Sequence, residues 1–193
     1  MQPQARAITM VDALFPNATL LRNVLLVLSF SALTALSAQI AFFIGPVPIT
    51  GQTFAVLLAG ALLGARRGAL SQITYLAAGA MGAPILAGWH GGLPYMMGPT
   101  GGYLIGFVAA AFVVGLLAER GWDRRVWTTA AAMLIGSIAI YACGLLWLTR
   151  FVGGGSVLSV GLYPFVIGDI AKLVLASVLL PGGWALLKRL QPL

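Results

Sequence analysis

Long apolar stretches separated by short polar or glycine-rich segments run through almost the whole chain. A helix that crosses a bilayer needs about 20 predominantly apolar residues, fewer where neighbours or re-entrant ends help. Residues 22–44 satisfy this clearly, residues 53–65 form a short second stretch ended by Arg66-Arg67, and residues 68–86 form a third with Pro84 near its end. Residues 101–118, 127–148 and 162–187 supply three more. The pattern predicts an all-α membrane protein with six transmembrane helices. Residues 1–21 are expected to be a cytoplasmic N-terminal segment carrying an interfacial helix, and residues 22–193 a single six-helix transmembrane domain. Arg6 precedes a weakly apolar run, but Thr9 and Asp12 interrupt it and Pro16-Asn17 end it, a poor match to a signal peptide.

Composition agrees with lipid as the solvent. Apolar residues are 60% of the chain and charged residues 8%, against roughly 45–50% and 25% in ordinary globular domains. The net charge of +7 does not describe a nucleic-acid-binding face, because the bases sit at the ends of apolar stretches. Arg6 and Arg22, Arg66 and Arg67, the group Arg120, Arg124 and Arg125, and the pair Lys188 and Arg189 all fall on one side if six helices start from a cytoplasmic N-terminus. That is the positive-inside pattern. It places both termini in the cytoplasm and the protein in the cytoplasmic (inner) membrane, with Arg150 alone on the far side.

The segments expected outside the cell are almost uncharged and rich in Gly and Pro. They are residues 45–52, residues 88–102 with Trp89 and Tyr95, and residues 153–161. Such segments suit loops capping an outward-facing apolar pocket.

Two charges remain inside the last stretch. Asp169 and Lys172 stand three residues apart and so share one helix face. Each charge at membrane depth costs roughly 2.5–3.5 kcal/mol, so such residues pair, bind something, or do both. The rest of the chain offers no catalytic company. There is no G-x-x-x-x-G-K-[ST] phosphate loop, His90 is the sole histidine, no two carboxylates share a stretch, and no serine has a histidine base at hand. Cys143 lies in an apolar run, where a small buried hydrophobe is its expected role. On the first helix, Ser31 with Ala35 and Thr34 with Ala38 repeat small residues at four-residue spacing. Such faces let helices approach closely, either inside the protein or against a partner.

The order of motifs resembles a known family. Val47-Pro48-Ile49-Thr50-Gly51-Gln52-Thr53-Phe54 opens a run that ends at Gly64, followed by Tyr75-Leu76 and Gly79-Ala80-x-Gly82-x-Pro84. Gly98-Pro99-Thr100-Gly101-Gly102-Tyr103 and Pro164-Phe165-x-x-Gly168-Asp169-x-x-Lys172 complete it. Together they are similar to the BioY family, the biotin-specific S components of energy-coupling-factor transporters. The resemblance implies an outward-facing biotin site with no chemistry performed and no cofactor in this chain. Its implied partners are a transmembrane coupling protein and a pair of cytoplasmic ATPases that use ATP. It implies Asp169 and Lys172 as biotin contacts and the Ser31, Thr34, Ala35, Ala38 face as the partner surface.

Biotin's ureido ring carries two N–H donors and one carbonyl acceptor. An ionised Asp169 can accept from the former and Lys172 can donate to the latter or to the ligand carboxylate. Thr50, Gln52 and Tyr75 are the further polar candidates, with Trp89 and Tyr103 as covers for the apolar middle. Other readings stay open at this point: an S component for thiamine or riboflavin, an ion-coupled transporter using the one carboxylate, or a lipid-modifying membrane enzyme using the pair as acid and base.

Overall fold

A computed structural model of the chain describes residues 9–17 and 19–190. Its elements are α1 (Met10–Leu14), α2 (Leu20–Ala38), the strand pair β1 (Ala41–Phe42) and β2 (Ile49–Thr50), α3 (Gln52–Leu63), α4 (Ala65–Ala80), α5 (Leu93–Met96), α6 (Gly101–Glu119), α7 (Val126–Leu148), α8 (Val157–Gly161) and α9 (Tyr163–Leu190). Among the described residues, four helical segments are long and apolar enough to cross a membrane: Leu20–Ala38, Gly101–Glu119, Val126–Leu148 and Val157–Leu190. The 12-residue α3 is apolar but shorter, and the 16-residue α4 carries Arg66 and Arg67 in its first turn.

The distribution of side chains suits a lipid-facing surface. Ile167, Ile170, Val174, Leu175, Val178 and Leu179 of α9 are exposed, while the interior is built largely from Ala, Gly and Val with a few large side chains. In lipid, helix association rests on close van der Waals approach, which small residues permit. Helix α6 is the centre, packed against α3, α4 and α7. A Cβ on Gly60 of α3 would lie 2.5 Å from the Ala111 carbonyl oxygen of α6, and one on Gly115 would lie 2.3 Å from the Ala65 backbone nitrogen.

The turn between α3 and α4 is a single residue. Gly64 sits at φ +84, a conformation that glycine alone adopts at no steric cost. The first free N–H of α4, that of Ala65, is taken by the Glu119 carboxylate at the end of α6, 2.8 Å away. This side-chain cap answers the unsatisfied donors of a helix start.

Two expected helices end earlier than hydropathy indicated. The first was expected to reach residue 44 but stops at Ala38, because residues 41–42 pair antiparallel with 49–50, Ala41 opposite Thr50 and Phe42 opposite Ile49. The third was expected to reach residue 86 but stops at Ala80. Gly82 turns at φ +97, and the chain folds back so that Gly92 N–H bonds to the Gly79 carbonyl at 2.7 Å. A short helix, α1, forms in the N-terminal segment. Thr9 caps it by accepting the Asp12 N–H at 3.3 Å, and Asp12 bridges Arg22 and Arg67, each at 2.7 Å. Arg6 lies outside the described residues.

The small-residue face of α2 is turned inward. Thr34 and Ala38 are fully buried and Ser31 is 8% exposed, with the Thr34 hydroxyl meeting the Gln72 side chain of α4 at 3.3–3.4 Å. Of the four residues expected at a partner surface, Ala35 alone is partly open. Two polar side chains at that depth satisfy each other, and the small residues beside them let α4 come close.

Candidate binding site

A cleft lies between α3, α6, α7 and α9, beneath the β1–β2 hairpin and the loop before α6. Its walls include Val47, Pro48, Thr50, Gln52, Thr53, Tyr95, Thr100, Tyr103, Tyr141, Phe165 and Lys172, around about 540 Å³ of unfilled space partly open to solvent. The mostly apolar lining with a few converging polar groups is the usual composition of a small-molecule site.

The polar end is a closed network on the Asp169–Lys172 pair. Lys172 Nζ donates to Asp169 Oδ1 at 3.0 Å, to the Thr53 hydroxyl at 2.8 Å and to the Thr50 carbonyl at 3.0 Å. An ammonium has three donors, so all three are engaged. Thr53 donates in turn to Asp169 Oδ1 at 3.3 Å, and the Tyr141 hydroxyl donates to Asp169 Oδ2. The side chains of Lys172 and Asp169 are 22% and 15% exposed. Burial of this degree makes an unpartnered charge costly and a fully partnered one rigid.

Three aromatic rings form the apolar part. Tyr103, Tyr141 and Phe165 enclose a triangle with centroid separations of 6.2, 6.3 and 6.4 Å. The Tyr103 hydroxyl is satisfied by the Gly161 carbonyl at 2.8 Å, which fixes its ring. Gln52 sits at the first turn of α3, bonded to Thr50 Oγ1 through Oε1 at 3.0 Å and to the Tyr75 hydroxyl through Nε2 at 2.6 Å. Tyr75 donates onward to the Ile85 carbonyl at 3.2 Å.

Of the residues expected in the site, Thr50, Gln52, Tyr103 and Lys172 line the cleft. Asp169 stands behind Lys172, Thr53 and Tyr141 and orients all three. Tyr75 is fully buried and supports Gln52 from behind. Trp89 is not brought in: it is 67% exposed and held at φ +60, a rare backbone state for a bulky residue. Its backbone N–H donates to Gln39 Oε1 at 3.0 Å. The nearby cover is Tyr95, whose ring stacks on His90 at 4.7 Å. Burial pushes the Tyr95 hydroxyl up in pKa, against a hydrogen bond with Thr100 that lowers it.

Thr53, Tyr95, Tyr141 and Phe165 are among the lining residues that were not expected in the site. Tyr141 carried a usable signal, a lone phenol within an apolar helix, where a buried hydroxyl needs a partner. Among the described residues, no three His, Cys, Asp or Glu side chains gather to hold a metal ion.

Apolar helices with a lipid-suited surface, packed around an aromatic cleft with one largely buried cation–carboxylate pair, define a helical integral membrane protein with a candidate binding cleft. Comparison with known proteins narrows this. The profile of the BioY family matches residues 6–189, and the chain belongs to that family. It is 43% identical over 151 residues to the biotin transporter BioY of Thermotoga maritima, covering 78% of this chain and 88% of that one. It is 43% identical over 173 residues to the biotin transporter BioY of Rhodobacter capsulatus, covering 81% and 90%. Its fold matches the solved S-component for biotin from an ECF-type ABC transporter with a TM-score of 0.73 at 26% identity, over 92% of this chain and 96% of that one.

Proposed function

We propose that this chain is the biotin-binding S component of an energy-coupling-factor transporter. It captures the vitamin from outside a prokaryotic cytoplasmic membrane and hands it inward without altering it. Family membership supports the ligand, and the observation that carries the site assignment is the Lys172 ammonium 3.0 Å from Asp169 Oδ1 at the wall of an aromatic cleft. In this reading all six long helices cross the membrane, α3 and α4 as short members, and both termini are cytoplasmic. The β1–β2 hairpin and the loop before α6 then lie outside. Residues 1–21 are the cytoplasmic N-terminal segment and residues 22–193 the binding domain.

The network suggests how a ureido ring is recognised. Tyr141 spends its proton on Asp169, so its oxygen lone pair faces the cleft as an acceptor for a ureido N–H. Asp169 Oδ2, with one protein donor, has room for a second. The ureido carbonyl needs a donor, and Lys172 supplies it by releasing one of its three present partners. The Thr50 carbonyl is the one at the end of β2 rather than on a helix. Binding therefore exchanges a contact at the end of the hairpin for one to the ligand. Tyr103, Tyr141 and Phe165 pack on the apolar body. Charge-assisted hydrogen bonds in a water-poor cleft are the stronger kind, as scavenging a scarce vitamin requires.

No step here makes or breaks a covalent bond, and translocation draws on a transmembrane coupling protein and paired ATPases supplied by other chains. The docking face proposed for the coupling protein is the small-residue stretch Ser31, Thr34, Ala35 and Ala38 of α2, of which Ala35 is the member left partly open. Native mass spectrometry of the gently released protein tests the assignment. The expected result is a bound species of biotin's mass. A co-purified thiamine or riboflavin, or a chemically modified product, would replace the reading with a different one.

A further inference from the structure

Arg150 belongs to no part of the network above, yet its setting is unusual. In the three segments at the hairpin end of the bundle, residues 39–51, 81–100 and 149–162, it is the one Asp, Glu, Lys or Arg. Among the described residues its guanidinium enters no salt bridge. It is exposed but not free to wander, because the guanidinium carbon lies 4.5 Å from the centroid of the Trp147 ring. That indole is fixed in its turn. Its N–H donates to the Gly98 carbonyl at 2.9 Å, two residues before Thr100 in the cleft wall, and it packs against Gly101 and Gly102 so tightly that a Cβ on Gly102 would lie 2.2 Å from Trp147 Cβ.

A cation stacked on an aromatic face stays charged and keeps its position. Placed at an end of the bundle whose connecting segments carry no other formal charge, and with the cleft's Lys172 paired to Asp169, it biases the sign of the local field, and such fields raise the encounter rate of oppositely charged ligands. A purely topological role is the wrong explanation, since basic residues mark the opposite side of the membrane.

We propose that Arg150 is an electrostatic steering residue, which speeds the approach of a carboxylate-bearing ligand to the cleft without being part of the bound site. The inference rests on the outward-facing biotin reading. It assigns Arg150 to the association step, leaving dissociation to the Lys172 network.

The test is stopped-flow binding of biotin and of its uncharged carboxamide to the parent, Arg150→Lys, Arg150→Gln and Arg150→Glu proteins in neutral-lipid nanodiscs. At low ionic strength the expected association rate constants for biotin fall about two- to threefold for Arg150→Gln and further for Arg150→Glu, with Arg150→Lys near the parent. The differences collapse at about 0.5 M salt, where the screening length is a few ångströms. The carboxamide associates at one rate with all four, and biotin dissociation rates do not change. Equal biotin association rates in all four proteins overturn the steering role while leaving the site intact. Slowing of both ligands alike overturns it in favour of a structural role for the stack on Trp147. A parent that binds neither ligand removes the biotin reading itself, and the steering role with it.

Discussion

Lys172 reaches from α9 to α3 and places its Nζ 2.8 Å from the Thr53 hydroxyl oxygen, 119 residues earlier in the chain. Through that contact the cation joins two helices and the end of β2, so the site is assembled by tertiary structure although its ion pair is local.

The first expected outcome concerns that cation. Lys172→Met keeps most of the stem and removes three charge-assisted hydrogen bonds, each worth about 1.5–3 kcal/mol where the partner groups are buried. If one such bond is exchanged for a ligand contact, biotin affinity falls about 10- to 100-fold, measured by equilibrium binding on variants whose thermal unfolding is followed in parallel. Lys172→Arg does not restore it, because a planar fork cannot reproduce three converging contacts of a compact ammonium.

Tyr141→Phe removes one hydroxyl and leaves the ring contacts with Tyr103 and Phe165. The expected result is a loss of about tenfold in biotin affinity from the missing ureido acceptor, together with a lower melting temperature because Asp169 Oδ2 loses its protein donor. Calorimetric titration measures it. Unchanged affinity would mean that the phenol neither orients Asp169 nor meets the ligand.

The sequence carried the pair, the helix positions and the loop character well, because charges in an apolar helix and long hydropathic runs are local signals. Helix ends were less legible. Residues 40–44 are as apolar as the helix before them, and strand pairing with Ile49 and Thr50 decides that they leave it. The spacing of Ser31, Thr34, Ala35 and Ala38 marked a close approach correctly but could not name the neighbour, which is the Gln72 face of α4. Trp89 read as a cover because aromatic residues in glycine-rich loops often are; the φ +70 turn at Gly88 and the Gln39 contact point it away. Tyr141 and Thr53 entered the site from helices distant in sequence, which no spacing rule detects.

A pH dependence follows from α1. Burial raises the Asp12 carboxyl, but hydrogen bonds from Arg67, Thr9 and Arg22 outweigh it and bring the pKa from 3.8 to about 2. A carboxyl depressed in the folded state contributes stability that is fully present above 3.8 and lost as pH falls through about 2. The parent should therefore lose melting temperature more steeply than Asp12→Asn as pH is lowered across that window, and Asp12→Asn should melt lower at neutral pH. Parallel slopes in scanning fluorimetry would contradict the ion-pair anchor.

Helix packing gives an internal contrast. Gly60→Ala and Gly115→Ala place a methyl 2.5 Å from the Ala111 carbonyl oxygen and 2.3 Å from the Ala65 nitrogen, so each should cost about 1–3 kcal/mol through forced separation of α3, α4 and α6. Gly182→Ala in α9 meets nothing within 4 Å and should leave stability unchanged. Thermal unfolding of the three purified variants provides the comparison.

The central claim is that the Asp169–Lys172 cleft is a biotin site. Its most direct measurement is retention of labelled biotin by the purified parent and by folded Asp169→Asn and Lys172→Met proteins, with unlabelled biotin, thiamine and riboflavin as competitors. The expected result is retention by the parent that biotin alone displaces, and weak or absent retention by both variants. Displacement by thiamine or riboflavin, or undiminished retention by the variants, would contradict it.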